Sequence, residues 1–290
     1  MHKFSAKYLR CVRCHKTLEL EIIKESIEII EGFLECKKCN LSFPIISNIP
    51  ILWDDFSAFL STRTLLGGEL LLKSKSSKMK KFVKNSLSNV KRNLEDRTLI
   101  EQRWAKIYHN SKNSNFYLKI LNHLNKIPRS EFVLEHGCSI GLACEKLAKK
   151  HDIVFGIDSS FASLIHAKKT KTINLDYFVA DSLFHPFGNQ KFGLVVALNL
   201  LEIVEPTKLL QIISNQVRHG FVLLSDPYDY MRDQKSVKTP VDAYELRAKL
   251  KNLGFKITPN TKKPSFVSWN LILNERASLN YKVDVLLLQR

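Results

Sequence analysis

The spacing of apolar positions changes character along the chain, and each change predicts a different element. Leu18-Glu-Leu-Glu-Ile-Ile alternates and then becomes continuous, as short ribbon strands do. Phe43-Pro44-Ile45-Ile46 and Ile49-Pro50-Ile51-Leu52 follow, and two prolines make this stretch an extended edge or loop, not a helix. Phe82, Val83, Leu87, Val90 and Leu94 recur at three- and four-residue steps and predict a helix over 78–94. Ile100, Trp104, Ile107 and Tyr108 predict a second helix. Phe116, Ile120, Leu121 and Leu124 predict a third, which Pro128 ends. From Glu131 the pattern becomes strand, glycine turn, helix. Strands are expected at 132–135, 153–157, 175–179, 192–198 and 220–225, with helices at 142–150, 160–169, 206–217 and 241–253. Such alternation defines an α/β fold with a doubly wound, mostly parallel sheet, whose ligand belongs at the carboxyl ends of the strands.

These changes divide the 290 residues into a small unit at 1–58, a helical connector at 59–99 and a large domain at 100–290. Charge sharpens the division. The net charge is +17, yet residues 1–60 carry eight Lys/Arg against eight Asp/Glu, while residues 61–130 carry sixteen against four. Lys78, Lys80, Lys81, Lys84, Lys91 and Arg92 crowd the connector helix. A basic amphipathic helix can lie on RNA, on an anionic membrane surface or on the protein body, and the segment 73–94 is the candidate polyanion contact. The apolar run from Phe192 to Leu201 is too short to span a bilayer and is interrupted by Asn199. Met1-His2-Lys3-Phe4 lacks an apolar signal region, so a cytoplasmic location without a membrane span is expected.

The small unit carries Cys11-Val-Arg-Cys14 and Cys36-Lys-Lys-Cys39. Two knuckles of this spacing bring four sulfurs into a tetrahedron and form a structural metal site, with zinc or iron as its ion. Two disulfides or four unrelated thiols are the alternatives, and a Lys-rich chain without a secretory signal disfavours the disulfides. His15, beside Cys14, is a surface residue on this reading. The knuckles followed by Phe43-Pro44-Ile45 and Ile49-Pro50-Ile51-Leu52 resemble, over residues 8–53, the small zinc-ribbon proteins that activate methyltransferases. In that family the ribbon is a separate subunit in archaea and eukaryotes, and in some bacterial and archaeal chains it is fused ahead of the enzyme. The resemblance implies a structural zinc that serves assembly or activation.

In the large domain the first strand ends in Glu135 and runs into His136-Gly137-Cys138-Ser139-Ile140-Gly141. This E-x-G-x-x-x-G turn is not the dinucleotide G-x-G-x-x-G, because an acid at the strand end repels a pyrophosphate. It suits a ligand with an ammonium group, and S-adenosylmethionine is one. Gly137 and Gly141 let the backbone approach that ligand. Asp158, at the end of the second strand, is placed to accept the ribose hydroxyls, and Asp181, after the third, to accept from the adenine amino group. Together with His185-Pro186-Phe187 and the Asn199 segment, these residues resemble the class I S-adenosylmethionine-dependent methyltransferases over about residues 100–290. That resemblance implies a seven-stranded sheet closed by an antiparallel hairpin, for which Phe255 to Thr258 and Tyr281 to Leu288 are the candidates. Ser139 stands where a middle glycine is common in the family. Gly137-Cys138-x-x-Gly141, Asp226-Pro227-Tyr228 and the Pro264 to Trp269 segment are also similar to the small-molecule methyltransferase domain of ovothiol biosynthesis.

Methyl transfer from a sulfonium needs positioning of the nucleophile and exclusion of water. Asn199, Asp226 and Tyr228 are the candidate catalytic residues, with His185 and Trp269 as further acceptor-side candidates. Asp226-Pro227 is also a turn former, and Trp269 also a core residue. Cys138 and Cys144 read as packing, and Trp104 and Tyr108 as core or as a cap on the cofactor. No Asn-Pro-Pro-Tyr sequence follows the fourth strand, only Asn199-Leu-Leu-Glu, which disfavours an amino methyltransferase of that type. The acceptor is a small molecule or an RNA or translation-linked protein. The rival reading is a non-catalytic scaffold in which ribbon and basic helix hold RNA or a partner protein. Three strand-end carboxylates argue against it.

Overall fold

The computed structural model describes residues 1–90, 95–170, 172–231 and 236–290. In chain order the elements are β1 (Glu19–Glu25), β2 (Ile29–Cys36), β3 (Leu41–Ile46), β4 (Ile49–Pro50), α1 (Phe56–Ser61), α2 (Thr64–Lys73), α3 (Ser77–Ser88), α4 (Thr98–Asn110) and α5 (Asn115–Leu124). There follow β5 (Phe132–His136), α6 (Leu142–Leu147), β6 (Ile153–Asp158), α7 (Phe161–Ala167), β7 (Leu175–Val179), β8 (Leu194–Leu198), α8 (Pro206–Gln216), β9 (Phe221–Asp226), α9 (Ala243–Asn252), β10 (Lys256–Ile257), β11 (Phe266–Asn274) and β12 (Ala277–Gln289). They gather into two compact units, Met1–Lys106 with Ile157–Gly188, and Ile107–Gly156 with Asn189–Arg290.

In the first unit β1 to β4 form an antiparallel ribbon in chain order, with Phe33, Leu34, Phe43, Ile45 and Ile46 buried. The two-proline stretch is extended, as its sequence requires, and makes strands rather than a loop. Pro44 lies opposite Phe33 and Pro50 opposite Ile45. Past β4 the chain keeps its extended path and bridges β7 in parallel at Ile51–Val179, with the Leu52 N–H donating to the Val179 carbonyl at 2.8 Å. The Arg10 N–H adds a bond to the Pro186 carbonyl at 2.7 Å. The ribbon thereby covers the edge of β7, where unpaired backbone groups invite misassociation. A buried ionic network fastens the same junction. Asp176 of β7 accepts from the His2 N–H, the Ser5 hydroxyl and the Lys168 ammonium, each at 2.7 Å, and Lys168 also meets Glu28 of the β1–β2 turn at 2.8 Å.

The basic helix α3 packs on this ribbon. Met79 and Val83 are buried, and the Phe82 ring meets Phe33 edge-on at 5.1 Å and stacks on Phe56 at 5.5 Å. Glu31 of β2 accepts the N–H groups of Lys75 and Ser76 ahead of the helix. Lys75, Lys80, Lys81 and Lys84 stay exposed. The helix ends at Ser88, and Lys91, Arg92 and Leu94 lie outside the described residues.

In the second unit β5 pairs β8 and β8 pairs β9, both parallel, and β9 pairs β12 antiparallel. The strand order is β10-β12-β9-β8-β5-β6. β6 passes into the first unit, where the Ala180 N–H bonds the Asp158 carbonyl at 3.1 Å and β7 is next in order. The order therefore reverses at β5, the switch point at which open α/β sheets bind ligands. The expected closing hairpin is present, with a difference. Both the short β10 and the nine-residue β11 pair with β12, which makes eight strands. Sequence reasoning missed β11, because its outward residues include Phe266 and Ile272, so the alternation that buries Trp269 and Leu271 is blurred.

Candidate functional site

The metal centre is the simplest part. The Sγ atoms of Cys11, Cys14, Cys36 and Cys39 all lie within 4.8 Å of one another. A tetrahedral zinc with Zn–S bonds of about 2.3 Å needs sulfurs about 3.8 Å apart, so the donor set fits. The first knuckle is closed by the Cys11 N–H on the Lys16 carbonyl and the His15 N–H on the Cys11 carbonyl. His15 and Asn40, which end the two knuckles, adopt left-handed backbone. A hydrogen bond from Lys16 brings the Cys14 thiol down to about 7, while the bond to Cys14 pushes Cys39 up to about 12. Four thiols this close cannot all ionise without a cation among them.

The cofactor candidates divide between the units. In the second, Glu135, one residue before the end of β5, is 3% exposed and accepts the Cys144 thiol at 2.8 Å. Cys144 is thus more than the packing residue its sequence context suggests. Burial, then Cys138 and Glu135, push its thiol well up, and it stays a donor. Gly137 has φ +64°, and a Cβ there would lie 2.9 Å from Leu200 Cδ1; Gly141 has φ +77°. The left-handed backbone at both positions disfavours any side chain there. Ser139, Asn199 and Tyr228, in the turns after β5, β8 and β9, also adopt positive φ. Strained strand ends of this kind gather at functional sites. Sequence reasoning missed His136, which is fully buried, faces the Gln216 side-chain oxygen at 2.8 Å, and is held down to about 4 by burial.

In the first unit Asp158 ends β6 and accepts the Ser160 N–H at 2.8 Å at the start of α7. Asp181 follows β7 and accepts the Leu183 N–H at 2.8 Å, and burial pushes its carboxyl up.

The three catalytic candidates lie at the ends of β8 and β9, each held by a neighbour. Asn199 accepts the Ser225 hydroxyl at 2.9 Å. Asp226, fully buried, accepts the N–H groups of Leu201 and Tyr228 at 2.9 and 2.8 Å, one on each oxygen. The Tyr228 hydroxyl donates to Asp284 at 2.9 Å, and Asp284 is forked by Arg247 at 2.6 and 3.1 Å. Asp226 and Asp284 face each other across β9 and β12, so Arg247 offsets the charge of a buried carboxylate pair. The α9 capping box, Asp242 with Glu245, fixes the helix that carries Arg247.

Residues 133–220 match the model of a methyltransferase domain, and residues 7–47 match that of the Trm112p-like proteins. Among solved structures the chain resembles the complex between the Haloferax volcanii Trm112 methyltransferase activator and a methyltransferase, with TM-score 0.54 and 14% identity over 68% of this chain and 97% of that one. It also resembles the magnesium protoporphyrin IX methyltransferase of Synechocystis PCC 6803 with bound S-adenosylmethionine, with TM-score 0.50 and 15% identity over 69% of this chain and 100% of that one. No curated protein matches. Residues 133–220 are thus a methyltransferase domain, and the solved neighbours share the fold of the class I S-adenosylmethionine-dependent methyltransferases. Ahead of the matched domain, in the same chain, stands a Trm112p-like zinc ribbon. Among the described residues no helix is long and apolar enough to cross a membrane.

Proposed function

We propose that Glu135, Gly137, Gly141, Asp158 and Asp181 hold S-adenosylmethionine, and that the ribbon acts within the chain as the activator does in the Haloferax complex. Glu135 faces the ammonium, the two glycines admit the ligand to the backbone, Asp158 takes the ribose hydroxyls and Asp181 the adenine amino group. The observation that carries this is the turn after β5, where Gly137 and Gly141 both take left-handed backbone directly after the buried Glu135 carboxylate. When bound, the cofactor supplies an already activated methyl group, so the chain's own residues position the acceptor and exclude water. Asn199 orients the acceptor. Asp226 and Tyr228 set the shape of the strand ends, in keeping with the hydrogen bonds that occupy them. On this reading the ribbon domain is 1–58, the connector 59–99 and the methyltransferase domain 100–290. The acceptor is a small molecule in a cytoplasmic setting, and the exposed lysines of 73–94 add a polyanion contact. Asp158→Ala tests the assignment: S-adenosylmethionine binding should fall at least a hundredfold, with zinc content and melting temperature unchanged. Undiminished binding would remove Asp158 from the site.

A further inference from the structure

The second unit holds a set of rings that the cofactor reading leaves unused. Trp269 of β11 lies opposite Tyr281 of β12 in the hairpin register, with ring centroids 6.0 Å apart. Tyr108 stacks on Trp269 at 5.9 Å with planes 5° apart, and Phe116 approaches it at 5.1 Å. Trp269 and Phe116 form a buried floor, and Tyr108, Tyr117 and Tyr281 are half-buried around it. The Tyr281 hydroxyl donates to the Asp229 carboxylate at 3.1 Å. Burial, then Tyr108 and the Glu135 carboxylate, push the Tyr117 phenol upward.

Two features set the cluster apart from ordinary core. Its members are aromatic with a carboxylate on the rim, a composition whose ring faces attract a cation. The indole N–H of Trp269 is buried and has no hydrogen-bond partner. An orphaned buried donor is rare and costs about 1–3 kcal/mol, so it calls for an acceptor atom.

We propose that this ring set is the acceptor site and that the acceptor is a small primary or secondary amine carrying an oxygen atom that takes the Trp269 N–H. The proposal rests on the methyltransferase reading. The amine lone pair forms the new N–C bond as the C–S bond breaks with its electron pair left on sulfur. Positive charge passes to nitrogen, where the rings and Asp229 stabilise it, and the ammonium releases a proton to solvent. A thiolate or carboxylate acceptor becomes neutral on methylation and gains nothing from such a box.

The test is calorimetric titration of the zinc-loaded full chain with choline and with its neutral carbon isostere, 3,3-dimethylbutan-1-ol, in the presence of S-adenosylhomocysteine. Choline should bind saturably and at least about tenfold more tightly than the isostere, the range of a desolvated cation–ring contact. Asp229→Asn and Trp269→Phe should each weaken choline severalfold while S-adenosylmethionine affinity stays within twofold. Tyr281→Phe, which keeps the ring, serves if Trp269→Phe fails to fold. Equal binding of the two probes, or none, overturns the amine site. Failure of S-adenosylmethionine to bind while choline binds would instead overturn the cofactor reading.

Discussion

Single residues at the strand ends carry the strictest constraints. Gly137→Ala places a Cβ against Leu200 and forces an L-residue into left-handed backbone, a penalty of about 1–2 kcal/mol before any clash. We expect a lower melting temperature and S-adenosylmethionine affinity reduced at least tenfold. Gly68, where an added Cβ meets nothing within 4 Å, is the control. His136 gives a pH signature. Its folded value of about 4 lies below the ordinary 6.5, so the unfolded chain binds the extra proton between these values. Stability should therefore fall as pH drops from 6.5 to 4, by about 3 kcal/mol at most. Denaturant unfolding across that window should show the loss, and His136→Gln should make it smaller by the His136 share. The glycine turn, Glu135, Asp158 and Asp181 were legible in sequence because each is local to a strand end. The Cys144 bond to Glu135 and the Tyr228–Asp284–Arg247 chain were not, since their members come from elements whose approach only the fold decides.

Among elements, β7 depends on what covers it. Burial alone would push the Asp176 carboxyl up, but Lys168, the N-terminal ammonium and Ser5 together hold it below its ordinary value; the same network holds Lys168 above its own. The Asp176 contribution is present above the unfolded carboxylate value and is lost as pH falls through the folded one. That of Lys168 is present below the unfolded ammonium value and is lost as pH rises through the folded one. Lys168→Met takes from the buried Asp176 the cation that contacts it and should cost about 3 kcal/mol at pH 7, measured by denaturant unfolding. The Asp242 cap of α9 makes a milder test: Asp242→Ala should cost about 1 kcal/mol. Periodicity gave α4, α5 and the five parallel strands closely. At α3 it ran past Ser88 into Asn89 and Val90, where the described helix has ended, and it missed β11, whose two faces are both apolar in part.

At the scale of the whole molecule, two features meet. The excess charge of residues 61–130 reaches the surface through the lysines of α3, whose other face packs on the ribbon. Any RNA bound there should be held through phosphates alone. Affinity should not depend on sequence, and it should fall steeply with salt. A filter-binding series from 50 to 200 mM salt checks this, and a salt-independent affinity would refute it. The ribbon is the second feature. Its hydrogen bonds to Val179 and Pro186 make it part of the first compact unit, which carries Asp158 and Asp181. Sequence resemblance supplied the ribbon and the enzyme separately. The parallel bridge at Ile51 was not legible, because nothing local to Ile51 specifies Val179 as its neighbour.

The most direct test of the account is calorimetric titration of the zinc-loaded protein with S-adenosylmethionine, before and after the metal is removed by a chelator. The account predicts saturable one-to-one binding that weakens when the metal is withdrawn. Absence of binding to the fully metallated protein would contradict it.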